Sequence, residues 1–198
     1  RYLSGFTGSD GVLVLGADDA RLLVDGRYTV QAAAEVQGIP VLQYQNKIQG
    51  IEQAVRELGL KKIGFEAASV NVEMHNDLTS RIKKVQWVAL GSELRLLRAY
   101  KDSHEIAAMK KAAAIASQAI GQLAREIRPG WTEMETALQL EMTARKAGAE
   151  QVAFETIIAA GENGALPHAQ PTHRKIRYGD FVVIDFGVKY RGYCSDET

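Results

Sequence analysis

Residues 181–198 read Phe181-Val182-Val183-Ile184-Asp185-Phe186-Gly187-Val188-Lys189-Tyr190-Arg191-Gly192-Tyr193-Cys194-Ser195-Asp196-Glu197-Thr198. The apolar run from Phe181 to Val188 is a buried-strand pattern with a carboxylate, Asp185, inside it. Carboxylates are rarely buried without a partner. A second aspartate, Asp196, follows eleven residues later, across a segment, Val188 to Gly192, that reads as a hairpin loop. Opposed positions of a hairpin share a constant sum, so a turn centred between Tyr190 and Arg191 pairs Asp185 directly with Asp196. The two side chains then stand on one face of adjacent strands, roughly 5 Å apart at Cβ. At that separation they repel by about 3 kcal/mol at an effective dielectric of ~20. A shared proton would offset the repulsion. So would one or two bridged divalent cations. A bulge that shifts the register would instead leave Asp196 as a turn cap.

Working outward, His168 lies in the loop Gly161-Glu162-Asn163-Gly164-Ala165-Leu166-Pro167-His168. Loops of this composition often present functional side chains; a solvated histidine is the simpler alternative. His75, His104 and His173 read as surface residues, and Cys194 as a buried small hydrophobe. Upstream of the loop are two capping-box patterns, Asp102 with Glu105 and Thr132 with Glu135, each opening a helix. The first helix places Ile106, Met109, Ala113, Ala116, Ile120, Leu123 and Ile127 on one apolar stripe. Pro129-Gly130 and Gly148 end the two helices, and strands follow over Val152–Ala160, Phe181–Val188 and from Gly192 onward.

Before residue 91 the pattern differs. Short apolar runs at 12–15, 21–24, 39–44, 62–65 and 85–90 alternate with helical periodicity over 29–37, 48–58 and 70–82. Alternating strands and helices predict an α/β layer. The domain boundary therefore falls in the charged connector 91–100, giving an α/β domain over 1–95 and an α+β domain over 96–198.

The chain has 24 Lys+Arg and 24 Asp+Glu. Residues 1–100 hold 12 basic and 11 acidic side chains, and residues 101–198 hold 12 and 13, so no basic pole exists to bind nucleic acid. No apolar run approaches the length of a membrane span. One cysteine cannot form an intrachain disulfide, which favours a reducing, cytoplasmic setting. There is no Gly-x-Gly, Gly-Lys-Ser/Thr, His-Glu-x-x-His or Gly-x-Ser-x-Gly, so the usual nucleotide, zincin and hydrolase fingerprints are absent. The start at Arg1-Tyr2-Leu3 and the stop at Thr198, just after a strand pattern, read as cuts through a larger protein.

Glu155-Thr156-Ile157-Ile158-Ala159-Ala160-Gly161-Glu162-Asn163 with Leu166-Pro167-His168, Gly179 to Gly187, and Gly192 to Thr198 resemble the creatinase/prolidase/aminopeptidase P superfamily. Tyr2 to Ser9 and Val24-Asp25-Gly26-Arg27-Tyr28 resemble its N-terminal domain. The resemblance implies a creatinase-like α/β domain followed by the first part of a pita-bread α+β catalytic domain. It implies Asp185 and Asp196 as ligands of two divalent metal ions (manganese, cobalt or zinc), with His168 beside the scissile amide. It further implies a homodimer acting on peptides with proline at the second position, as an Xaa-Pro aminopeptidase or dipeptidase. The family's remaining ligands, one His and two Glu, lie downstream of the second aspartate. These 198 residues are thus expected to be inactive alone. A metal-free creatinase-type amidinohydrolase and a non-enzymatic interaction protein use the same scaffold. Members of those kinds usually differ at the metal positions, so Asp185 and Asp196 weigh against both.

Overall fold

In the computed structural model, which describes residues 1–198, the alternation before residue 91 becomes an α/β layer. Val12–Leu15 (β1) and Ala20–Val24 (β2) pair antiparallel, with Leu15 opposite Ala20. Helix α1 (Thr29–Glu35) leads to β3 (Val41–Gln43), which lies parallel to β2. Helix α2 (Lys47–Glu57) starts where the Asn46 side chain accepts from the Gln49 N–H, satisfying one orphan donor of the first turn. Strands β4 (Lys62–Glu66) and β5 (Gln86–Leu90) pair parallel, and α3 (Val72–Arg81) makes the crossover between them. β2 is buried on both faces: Leu23 packs with Tyr44, Ile51, Val55 and Leu78, while Leu22 and Val24 pack with Phe6, Ala32 and Val36. A short helix, α4 (Glu93–Leu96), occupies the connector. The chain divides into two compact units, Arg1–Tyr100 and Lys101–Thr198, just C-terminal to the 95/96 boundary read from the sequence.

The second unit is α+β. Both capping boxes form: Asp102 and Glu105 open α5 (Ser103–Glu126), and Thr132 and Glu135 open α6 (Glu133–Lys146). The buried face of α5 is not the expected stripe. Ile106 and Met109 are exposed, and Ala113, Ile120 and Ile127 are half-buried. The buried apolar set is Ala108, Ala112, Ile115, Ala116, Ala119 and Leu123, with Glu105 buried at the helix start. Alanine on the inner face lets α6 and the sheet approach closely, and close packing decides the face where bulk alone misleads.

The run Val152–Ala160, expected as one strand, is two: β6 (Gln151–Val152) and β7 (Ile157–Ala160). The run 181–188 is likewise divided between β8 (Val182–Asp185) and β9 (Val188–Tyr190), and β10 (Tyr193–Cys194) completes the sheets. β6 pairs β9 with Val152 opposite Val188, and the Ala153 N–H donates to the Gly187 carbonyl. β7 pairs β8 with Ile157 opposite Asp185. Phe154, Glu155 and Thr156 therefore stand against Phe186 alone. This bulge breaks both runs and re-aims the side chains of residues 154–156. Under the sheet, Ile158, Phe186 and Val188 are fully buried against Ile115, Leu123 and Leu140 of the helices. No helix is long and apolar enough to cross a membrane.

Phe186 is the largest fully buried side chain. Phe186→Ala should cost the second unit about 3–5 kcal/mol through lost burial and a cavity. Guanidinium unfolding followed by Trp131 fluorescence in a Trp87→Phe background reads that unit alone, because each unit holds one tryptophan.

Candidate active site

Arg191 and Gly192 both have positive φ, 49° and 83°. Two left-handed residues in succession make the two-residue turn whose twist matches a β-hairpin. Tyr190 accordingly pairs with Tyr193, and Lys189 with Cys194. The register continues to Phe186 and Glu197, which exchange backbone hydrogen bonds of 2.9 and 3.1 Å. The turn is thus centred one position later than the sequence reading put it. Asp185 stands opposite Thr198, whose hydroxyl donates to Asp185 Oδ1 at 3.3 Å, and Asp196 stands opposite Gly187. The reason is local: the expected turn needs Tyr190 in the left-handed region, whereas the observed one gives that demand to glycine.

Because one step of the turn centre moves each pairing by two residues, the faces are unchanged. Asp185 and Asp196 remain on one face as diagonal neighbours, about 7–8 Å apart along the backbone. Their repulsion falls to about 2 kcal/mol at an effective dielectric of ~20. The other face carries Phe186, Val188 and Ser195 into the core. Asp185 is half-buried and Asp196 exposed. Cys194 shares the outer face with Asp196 and is exposed, contrary to the buried site expected for it. Gly187 allows the strands to close here, since a Cβ on it would collide with the Ser195 carbonyl oxygen.

The loop after β7 opens with a 3-10 turn, Gly161–Ala165, and carries an exposed His168 next to a buried Ala169. His168 and Asp185 line one open cleft of about 850 Å³ together with Met134, Leu138, Phe154 and Ile157. Asp196 is not among its lining residues. Two carboxylates on one face are hard oxygen donors of the kind divalent cations take. They fit part of a metal centre, but no cluster of three or more His, Cys, Asp or Glu side chains surrounds them.

Sequence reasoning missed the groups that hold the His168 loop. Glu133, the first residue of α6, is fully buried. Its Oε1 accepts from the Ala160 N–H at 2.7 Å and Asn163 Nδ2 at 3.0 Å. Its Oε2 accepts from the Thr172 N–H at 3.0 Å, Thr172 Oγ1 at 2.6 Å and Asn163 Nδ2 at 3.1 Å. Burial pushes the carboxyl pKa up, but these bonds outweigh it and hold the group below the usual carboxylate range. Further along, Arg174 grips Asp180 with two bonds, of 2.7 and 3.2 Å. That guanidinium, with the Arg177 N–H, draws Asp180 from the ordinary 3.8 to about 2. An acidic residue in a helix's first turn is ordinarily solvated, so nothing local marked Glu133 as buried.

Comparison with known proteins bears on the same elements. Residues 1–100 match the creatinase/prolidase N-terminal domain, and residues 107–198 match metallopeptidase family M24. The chain belongs to the creatinase/prolidase N-terminal domain family. It is 36% identical over its whole length to an uncharacterised peptidase of Bacillus subtilis, of which it spans 56%. Among solved structures it resembles an X-Pro aminopeptidase from Thermotoga maritima, with 36% identity and TM-score 0.91 over 98% of this chain and 56% of the other. It also resembles an Xaa-Pro dipeptidase from Bacillus anthracis, with 36% identity and TM-score 0.93 over 99% of this chain and 55% of the other. The chain thus spans about half the length of the relatives it matches. The expectation of a creatinase-like domain followed by the start of a pita-bread domain agrees with the two family matches and with those likenesses.

The depressed pKa of Asp180 gives the second unit an acid sensitivity of fixed sign. The Arg174–Asp180 pair contributes fully above pH 3.8, and its contribution disappears as the pH falls toward about 2. Asp180→Asn should lower the melting temperature at pH 6, and the gap to the wild type should close on acidification to pH 2. Melting curves across that range check both the gap and its closure.

Proposed function

We propose that this chain forms part of a metal-dependent peptidase that cleaves the bond between an N-terminal residue and a following proline. The reading rests on one observation: Asp185 and Asp196 share a face of the hairpin, and Asp185 lines the same cleft as His168. The two carboxylates would hold divalent metal, with further donors contributed from outside these residues. When bound, such metal supplies an activated water and polarises the scissile carbonyl. His168, exposed at the mouth of the cleft, donates a hydrogen bond to the amide or to the oxygen on which charge develops. Met134, Leu138, Phe154 and Ile157 give the cleft an apolar wall that keeps water from one side of the peptide. The homodimer and the choice of manganese, cobalt or zinc are supported by the family resemblance. The cytoplasmic setting is supported by the single cysteine.

The experiment uses the protein at the full length of its relatives. Hydrolysis of Xaa-Pro dipeptides and Xaa-Pro-Yaa tripeptides is measured before and after chelation, with metal content read by mass spectrometry. Asp185→Asn and Asp196→Asn should each lose bound metal and abolish hydrolysis. His168→Ala should keep its metal and turn over on the order of 10²-fold more slowly. Undiminished metal content and activity in the aspartate variants would remove the basis of the proposal.

A further inference from the structure

Glu133 is the one carboxylate in the second unit with no exposure to solvent, and it faces no cation within bonding distance. Its charge is held by hydrogen-bond donors from both ends of a single loop. Ala160 and Asn163 stand where the loop leaves β7, and Thr172 stands where it returns to α6. The Met134 and Glu133 N–H groups at the start of α6 donate to the Thr172 and Arg174 carbonyls, so the returning strand of the loop is stitched to the same helix end. Between these anchors the chain spans Gly164 to Pro171 and carries His168, which is itself exposed; beside it Ala169 is buried. The imidazole is therefore located by its backbone, and the backbone by Glu133.

We propose that Glu133 is a positioning residue: its buried carboxylate pins both ends of the 161–172 loop and so sets His168 at the cleft. It touches no substrate and acts only through His168. A carboxylate suits the task because both oxygens are pure acceptors, and every group aimed at them is a donor. An amide of the same shape would turn an NH₂ toward a backbone N–H on one side or the other, leaving buried donors facing each other. The kinetic consequence rests on the peptidase reading above; the consequence for the loop does not.

The test compares Glu133→Gln, His168→Ala and the double variant in the full-length enzyme, alongside Thr172→Val, which removes one hydroxyl donor and leaves the carboxylate in place. Glu133→Gln should lower kcat for an Xaa-Pro peptide by 10- to 100-fold with KM within about twofold and metal content unchanged. In the His168→Ala background the same substitution should cost less than twofold, because residues acting through one group are not additive. Thr172→Val should show the same pattern at smaller amplitude and covers the case in which Glu133→Gln does not fold. Amide hydrogen exchange over residues 161–172 should accelerate at least tenfold in Glu133→Gln while α5 keeps its protection. An equal loss of kcat in both backgrounds, or unchanged exchange in the loop, would overturn the proposal. A wild-type enzyme inactive on Xaa-Pro peptides would remove the peptidase reading instead, and the exchange experiment would then decide the role of Glu133 by itself.

Discussion

The two-residue turn at Arg191–Gly192 governs the second unit. Both residues sit in the left-handed region, and that demand fixes where β9 folds back on β10. Every pairing from Tyr190–Tyr193 to Phe186–Glu197 follows from it. The side-chain alternation of a strand then leaves only two outcomes: Asp185 and Asp196 on one face with the core residues on the other, or the reverse. The core decides between them, since Phe186 and Val188 are wholly buried against the helices. The aspartates share the outer face because burying them would forfeit hydration that no nearby cation or donor set replaces.

The bulge at Phe154–Thr156 has a complementary effect. It separates β6 from β7 without changing which face of the sheet is inner, and it turns Phe154, Glu155 and Thr156 toward the cleft that Asp185 and His168 line. The Thr156 hydroxyl donates to Glu141 of α6 at 2.7 Å, tying the bulge to the helix. Within the second unit, then, the cleft is framed by irregular backbone held by side-chain hydrogen bonds: the bulge by Glu141, the loop by Glu133, and the loop's return by Arg174 and Asp180. Such features cost stability unless every polar group is satisfied, and here the donors and acceptors are matched.

Much of the architecture was legible because its signals are local. A capping box reports a helix start through residues three apart, and both boxes formed where Asp102 and Thr132 put them. Alternating apolar runs reported the strands of the first unit for the same reason. The α5 stripe misled because periodicity ranks residues by hydrophobicity, whereas the packed face was chosen by the small size of Ala108, Ala112, Ala116 and Ala119. The hairpin centre was misplaced by one residue because the arithmetic treated every turn position alike, while glycine alone accepts positive φ without strain.

By itself, the sequence settled the α/β to α+β succession, the helix starts, the hairpin and the common face of Asp185 and Asp196, since each depends on residues close together in the chain. The meeting of His168 with Asp185 in one cleft, the bulge that shapes it and the burial of Glu133 were decided only in three dimensions. Glu133 and its partner Thr172 are 39 residues apart, and no periodicity spans that distance. Whether a carboxylate is solvated or enclosed depends on which distant donors the fold brings to it, and that is a property of the packed chain.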